Sequence, residues 1–336
     1  MKPYTYSIFA ALFAAGFAQA SVTATTTPVG YVSLGDTTVG QPAVKAGTDV
    51  SISIPLSQPT QFRGLIGSVA GSVITISGTP ALGDLTTFPH VVKIESGARS
   101  GLVALITAST TNTVTVAVQS GDDLTGVTNT DTISISNAWT VAGLLGTSLP
   151  VNTSLLGFSG TSTGQNLAAD LIWQFDGTNW IDTNTFNPAD NAVLYPGETL
   201  ILRNDAVTPI TSLVVSGEVS TSNSRLVVQS AAVTGTDNMI SFVGAASQVI
   251  GTSGLSAIAH VNDEILANDN SATGENKAAV TAIQFDGTDW IDTNSFDTVT
   301  STFKLEPGVG YTFRTDPSHP VGSSVWTSLP DFVPSL

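Results

Sequence analysis

The phrase QFDGTNWIDTN at residues 174–184 returns at 284–294 as QFDGTDWIDTN, and it holds most of the side chains that could do chemistry. Two chemistries suit those residue types. Trp173, Trp180 and Trp290, flanked by Asn and Asp, could form a stacking platform for a sugar, with the polar neighbours meeting its hydroxyls. The carboxylates Asp176, Asp182, Asp286 and Asp292 could instead hold Ca²⁺, although the phrase lacks both the EF-hand spacing and the Gly-rich nonapeptide of other calcium loops. Asp263, Glu264 and Asp269 in VNDEILANDN are the remaining candidate for a metal, and their nearness is mostly sequential. Against all of these stands a structural reading, in which the phrase builds a hairpin whose aromatic face is core.

Other catalytic signals are sparse. The chain has three histidines, His90, His260 and His319, all outside the phrase and each read as a lone structural or surface residue. It has no Cys, which excludes thiol catalysis and thiolate metal sites. The metalloprotease H-E-x-x-H, the G-x-S-x-G elbow and the P-loop are all missing from the sequence. A pair of carboxylates can hydrolyse a glycosidic bond without a motif, but nothing singles out two of the 26 acids. The expectation is a non-enzyme with no catalytic and no cofactor-binding residue, in which a structural Ca²⁺ is the one cofactor to consider.

The elements that position these residues read as strands. SVITISGTP, NTVTVAV, TDTISIS and SRLVVQS alternate β-branched apolar residues with Ser, Thr or Asn, as strands with one buried face do. Turn pairs such as Ser77-Gly78, Asp176-Gly177, Pro196-Gly197 and Pro307-Gly308 punctuate them. Helical turns are conceivable only near Leu144–Leu149 and Ser256–Ala259. Asp-Gly between apolar runs predicts a two-residue hairpin loop, which would set Phe175 opposite Thr178 and Trp173 opposite Trp180.

The repeat extends well past the phrase. Gln174–Phe186 and Gln284–Phe296 agree at 11 of 13 positions. Thr163-Gly164-Gln165-Asn166 aligns with Thr273-Gly274-Glu275-Asn276, Leu194-x-Pro196-Gly197 with Leu305-x-Pro307-Gly308, and Arg203-x-Asp205 with Arg314-x-Asp316. Upstream, Thr130-Asp131 is matched to Thr236-Asp237. The fold expected is all-β with little helix: a signal peptide at 1–20, an N-terminal β region at 21–129, two related antiparallel β modules at 130–235 and 236–330, sandwich- or barrel-like, and a tail at 331–336. Val29-Gly30-Tyr31-Val32 is read as a strand that pairs with a distant module.

Composition narrows compartment and partners. MKPYTYSIFAALFAAGFAQA has a basic start, a short apolar run and an Ala18-Gln19-Ala20 ending, the features of a secretory signal. Export to the periplasm, cell surface or exterior is therefore expected, with no direct membrane insertion. The net charge of −16 argues against nucleic acid and anionic membranes. Self-association, other envelope proteins and a glycan remain as partners.

The start TTTPVGYVSL, the segment SGARSGLVALITASTTNTVTVAVQSGDDLTGV with TDTISISNAWTVAGLLG, and ISFVGAASQVIGTSGL with VNDEILANDN carry a resemblance, as do the paired DGxxW phrases. The chain resembles a family of exported β-rich proteins found mainly in Verrucomicrobia, often as several paralogues per genome. The resemblance implies a secreted, multi-unit β protein of the cell surface or matrix, and it transfers no catalytic or binding residue. Three readings follow: a non-catalytic structural or interaction protein, a carbohydrate-binding protein using the Trp hairpins, and a glycan-active hydrolase.

Overall fold

The computed structural model describes residues 27–160 and 162–333. The expected signal segment lies outside them. Nearly every element is a strand. The described residues begin with β1 (Val29–Ser33) and β2 (Thr48–Ser53), then enter six strands: β3 (Thr60–Ala70), β4 (Val73–Ile76), β5 (His90–Ile94), β6 (Val103–Ser109), β7 (Thr113–Val118) and β8 (Thr132–Asn137). These close into a barrel in the order β3-β4-β7-β6-β5-β8. The alternation read from the sequence turns Ile74, Ile76, Ala104, Ile106, Val114, Val116, Ile133 and Ile135 into its interior.

After the barrel come β9 (Trp139–Thr140), the short helix α1 (Val141–Leu145), β10 (Thr153–Gly157), β11 (Leu171–Phe175), β12 (Trp180–Asp182), β13 (Val193–Leu194), β14 (Thr199–Asn204) and β15 (Val214–Glu218). The last nine strands are β16 (Ser224–Ser230), β17 (Thr236–Ser241), β18 (Gln248–Val249), β19 (Glu264–Ala267), β20 (Thr281–Phe285), β21 (Trp290–Asp292), β22 (Lys304–Leu305), β23 (Gly310–Thr315) and β24 (Gly322–Ser328). Two 3₁₀ turns, Ile250–Thr252 and Leu255–Ala257, stand where the first copy has α1. Among the described residues no helix is long and apolar enough to cross a membrane.

The two copies share one topology. The sheet β12-β11-β10-β14-β2 matches β21-β20-β19-β23-β17, and each is completed by two ribbons, β1-β15 with β9-β13 and β16-β24 with β18-β22. Sheet and ribbons enclose a common core in each copy, around Trp180 in the first and Trp290 in the second. This corrects the partition read from the sequence. Thr48-Asp49 opens β2 as Thr236-Asp237 opens β17, and Asp49 lies opposite Arg203 as Asp237 lies opposite Arg314. Thr130-Asp131 belongs instead to the turn before β8, where the Asp131 carboxylate accepts the Thr128 N–H at 2.7 Å. The barrel is thus an insertion between β2 and β9, at a point where the second copy has only a short link between β17 and β18. Val29–Ser33 does pair far along the chain, but with β15 of its own copy.

The copies grip each other reciprocally. Arg203 forks onto Asp49 through Nε at 2.8 Å and Nη2 at 2.9 Å, and its Nη2 also donates to Asn276 Oδ1 of the other copy at 2.8 Å. Arg314 forks onto Asp237 at 2.7 and 2.9 Å and donates to Asn166 Oδ1 at 3.1 Å. The backbone N–H groups of Asn276 and Asn166 complete the exchange, donating to Asp49 Oδ2 at 2.8 Å and Asp237 Oδ2 at 2.6 Å. Asp49 N–H reaches Gly274 O and Asp237 N–H reaches Gly164 O. The Thr-Gly-x-Asn repeat is therefore a clasp that each copy lays over the other's Arg–Asp pair.

The Pro-Gly turns cross in the same way, with Ser53 N–H donating to Gly308 O at 3.0 Å and Ser241 N–H to Gly197 O at 2.8 Å. Between them the symmetry must break. Thr199 and Gly310 hold equivalent positions, opposite Ser53 and Ser241. A Cβ on Gly310 would lie 2.3 Å from Thr199 Cγ2, so one copy keeps a side chain and the other gives it room. Gly310→Ala is expected to destabilise the protein by about 1–3 kcal/mol through overpacking. In a denaturant-unfolding double-mutant cycle, adding Thr199→Gly should cost less than the sum of the single changes.

Candidate functional site

The phrase that suggested chemistry is core. Trp180 and Trp290 are each 0% exposed and Trp173 is 6% exposed. The indole N–H of Trp180 donates to Gly146 O at 2.9 Å, and that of Trp290 to Ser256 Oγ at 2.9 Å. An open stacking platform built on these rings is ruled out by their burial. The hairpin register also differs from the one expected. Phe175 pairs with Trp180 and Trp173 with Asp182, and likewise Phe285 pairs with Trp290 and Ile283 with Asp292. The loop has four residues because the Asp176 carboxylate accepts the N–H groups of Thr178 at 2.7 Å and Asn179 at 2.8 Å. A two-residue turn would need positive φ at Asp176 as well, and only Gly177 has it, at 102°.

The remaining acids of the phrase are turn formers too. Asp182 accepts from Asn184 and Thr185 N–H, and Asp292 from Asn294 and Ser295 N–H. The VNDEILANDN acids do not converge. Asp263 is buried and turns to His319 Nδ1 at 2.7 Å, while its other oxygen accepts Asp316 N–H. Glu264 opens β19, where it lies across from Gln284 and Arg314, whereas Asp263 precedes the strand. Asp269 caps Ser271 through N–H at 2.8 Å and Oγ at 2.6 Å. Among the described residues no cluster of three His, Asp or Glu side chains is placed to hold a metal.

The histidines are less isolated than expected. His90 is buried against Leu85 O and Phe88 O in the barrel, but His260 and His319 meet edge to face at 4.3 Å between ring centroids, beside Asp263.

What the sequence did not point to is a cavity of about 380 Å³ where barrel, first copy and second copy meet. Gln119 enters it from the barrel, Trp173, Tyr195 and Glu198 from the first copy, and Leu226 and Met239 from the second. Its distinctive side chains sit where the repeat is broken: Trp173 stands against Ile283, Tyr195 against Glu306 and Glu198 against Val309. Those mismatches were the available signal, since a fold needs the same residue twice only where its role is the same twice. Glu198 accepts Gln119 Nε2 at 2.9 Å and Tyr195 N–H at 3.3 Å. Burial pushes its carboxyl up to about 7 against those donors. Burial, with Glu198 adding to it, pushes the Tyr195 phenol up to about 12. The cavity thus holds a carboxyl that gains or loses its proton near neutrality, next to an aromatic wall.

A second concavity lies in the seam between barrel and first copy. It is occupied by an ion-pair network, with Lys93 3.8 Å from Glu95 and Arg63 3.9 Å from both Glu95 and Glu218. Burial lowers the Lys93 pKa against the pull of Glu95.

Comparison with known proteins adds nothing to this geometry: no family model, curated protein or solved structure matches the chain.

Two outcomes are expected. Trp180→Ala and Trp290→Ala should each cost about 3–5 kcal/mol in chemical denaturation, as loss of a core indole does. Glu198 has a folded pKa above its ordinary value of 4.5, so its neutral form favours folding. That contribution is complete below the ordinary carboxylate range and is lost as pH rises to about 7. Thermal melts at pH 4.5 and 8 should therefore show Glu198→Gln gaining on the unmodified protein at the higher pH, by about 1–3 kcal/mol at roughly 1.4 kcal/mol per pKa unit.

Proposed function

We propose that this chain is a non-catalytic interaction protein of the cell surface or extracellular matrix, a two-copy body that carries a barrel and presents its outer loops to partners. The observation that supports this is where the repeated residues go. The indoles fill the two cores, and the Arg, Asp and Asn side chains lock one copy to the other. The duplicated signature is spent on making a stiff body, and a stiff body with two equivalent outer ends suits bridging and display. The basic, apolar and Ala-x-Ala pattern of residues 1–20 supports export. A second reading, recognition of a small organic cation in the central cavity, is favoured by Glu198 beside Trp173 and Tyr195, because aromatic faces and a carboxylate both attract positive charge.

Fractionation of producing cells tests the first reading. The protein is expected in the washed surface or matrix fraction with its first 20 residues removed. Full-length protein in the cytoplasm, or protein that stays free in the medium, would overturn it.

A further inference from the structure

One apolar side chain of each repeat is left out of the body. Phe186 and Phe296 are 81% and 80% exposed, with φ of 59° and 61°. The turn dictates the backbone, since Phe186 N–H closes onto Asp182 O at 2.7 Å and Phe296 N–H onto Asp292 O at 2.8 Å. It does not dictate the ring. Left-handed backbone is strained for a bulky residue and comfortable for Gly, Asn or Asp. Yet both copies keep Phe here, while the buried Trp173 becomes Ile283 in the second copy. An exposed ring held in a strained position twice has a reason outside the fold.

Its surroundings indicate what that reason is. Asn184, Thr185 and Asn187 adjoin Phe186 along the chain, and Asn294, Ser295 and Asp297 adjoin Phe296, all of them exposed. The chain neighbours of each ring are polar side chains rather than the further large apolar residues that a membrane or a protein hot spot would use. The net charge of −16 repels polyanions. A flat ring beside short hydrogen-bonding groups suits the C–H face and hydroxyls of an uncharged sugar. Both rings follow the outermost strands, β12 and β21, at the far side of each sheet from the clasped β2 and β17.

We propose that Phe186 and Phe296 are twin stacking points for a neutral polysaccharide, one per copy, by which one molecule grips two stretches of glycan. This deepens the interaction-protein reading and rests on it. The two sites make binding bivalent, so losing one should weaken it and losing both should abolish it.

Affinity electrophoresis of the purified protein tests this in gels cast with mixed-linkage β-glucan, xylan, galactomannan or dextran, with alginate as the anionic comparison. At least one neutral polymer is expected to retard the protein. Phe186→Ser and Phe296→Ser should each weaken retardation about tenfold, and the double variant should migrate as in an empty gel. Thermal midpoints of all three should equal or exceed that of the unmodified protein, which separates lost binding from lost folding. Retardation by no neutral polymer, by alginate alone, or undiminished in the double variant would overturn the proposal. If the gel test fails while the unmodified protein still fractionates with the cell surface, the glycan sites fall and the interaction reading stands.

Discussion

The reciprocal Arg–Asp–Asn clasp is the constraint on which the rest of the molecule depends. Each Arg sits on the strand next to a sheet's edge and holds an Asp on the edge strand itself. The other copy's Thr-Gly-x-Asn loop then closes over the pair with one side-chain oxygen and one backbone N–H. A carboxylate taken partly out of water needs its acceptor capacity filled, and here neither copy supplies all the donors its own Asp needs. Two similar modules on a flexible tether would be free to move apart. These two are bound because each completes the other's polar chemistry.

The clasp also handles an aggregation hazard. Strands β2 and β17 are sheet edges, with backbone groups that could template pairing with another chain. Asn270 covers β2 by accepting Ser51 N–H through Oδ1 and donating to Ser51 O through Nδ2, both at 2.8 Å. At the opposite edges, β12 and β21 are three residues long and are met by single bridges from Pro188 and Thr298. The barrel has no edge at all. Its anchors reach both copies: Thr60 bonds Glu218 of the first, and Arg225 at the start of the second forks onto Asp122.

Much of this was legible in the sequence, for physical reasons. Period-two alternation gave the all-β class, and the length of the repeat gave duplication. The burial of Trp180 and Trp290 followed from their place on alternating runs. The first copy's opening strand was not legible as such, because the inserted barrel separates β2 from β9, and the Thr130-Asp131 look-alike near the barrel's end lies closer in sequence to the rest of the copy, so proximity favoured the wrong match. The hairpin register was missed because Asp-Gly suits both a two-residue loop and a longer one, and the carboxylate's bonds to Thr178 and Asn179 decide between them. The central cavity was only partly legible for a related reason: the broken repeat marks Trp173, Tyr195 and Glu198, but Gln119 and Met239 reach them from distant segments of the chain.

The placement of the barrel inside the first copy bears on how the chain acquires its shape. Thr48 leaves the start of β2 and meets its partner Asn204 only after the whole barrel and five more strands have been made. The barrel can close from contacts within its own stretch, whereas the first sheet waits on a contact between distant stretches, and such topologies fold slowly. The clasp comes later still, since Asn276 is needed to seal Asp49. A nascent chain therefore carries a finished barrel beside an unpaired β2 for most of its assembly, so a strand made before the barrel is among the last to be secured.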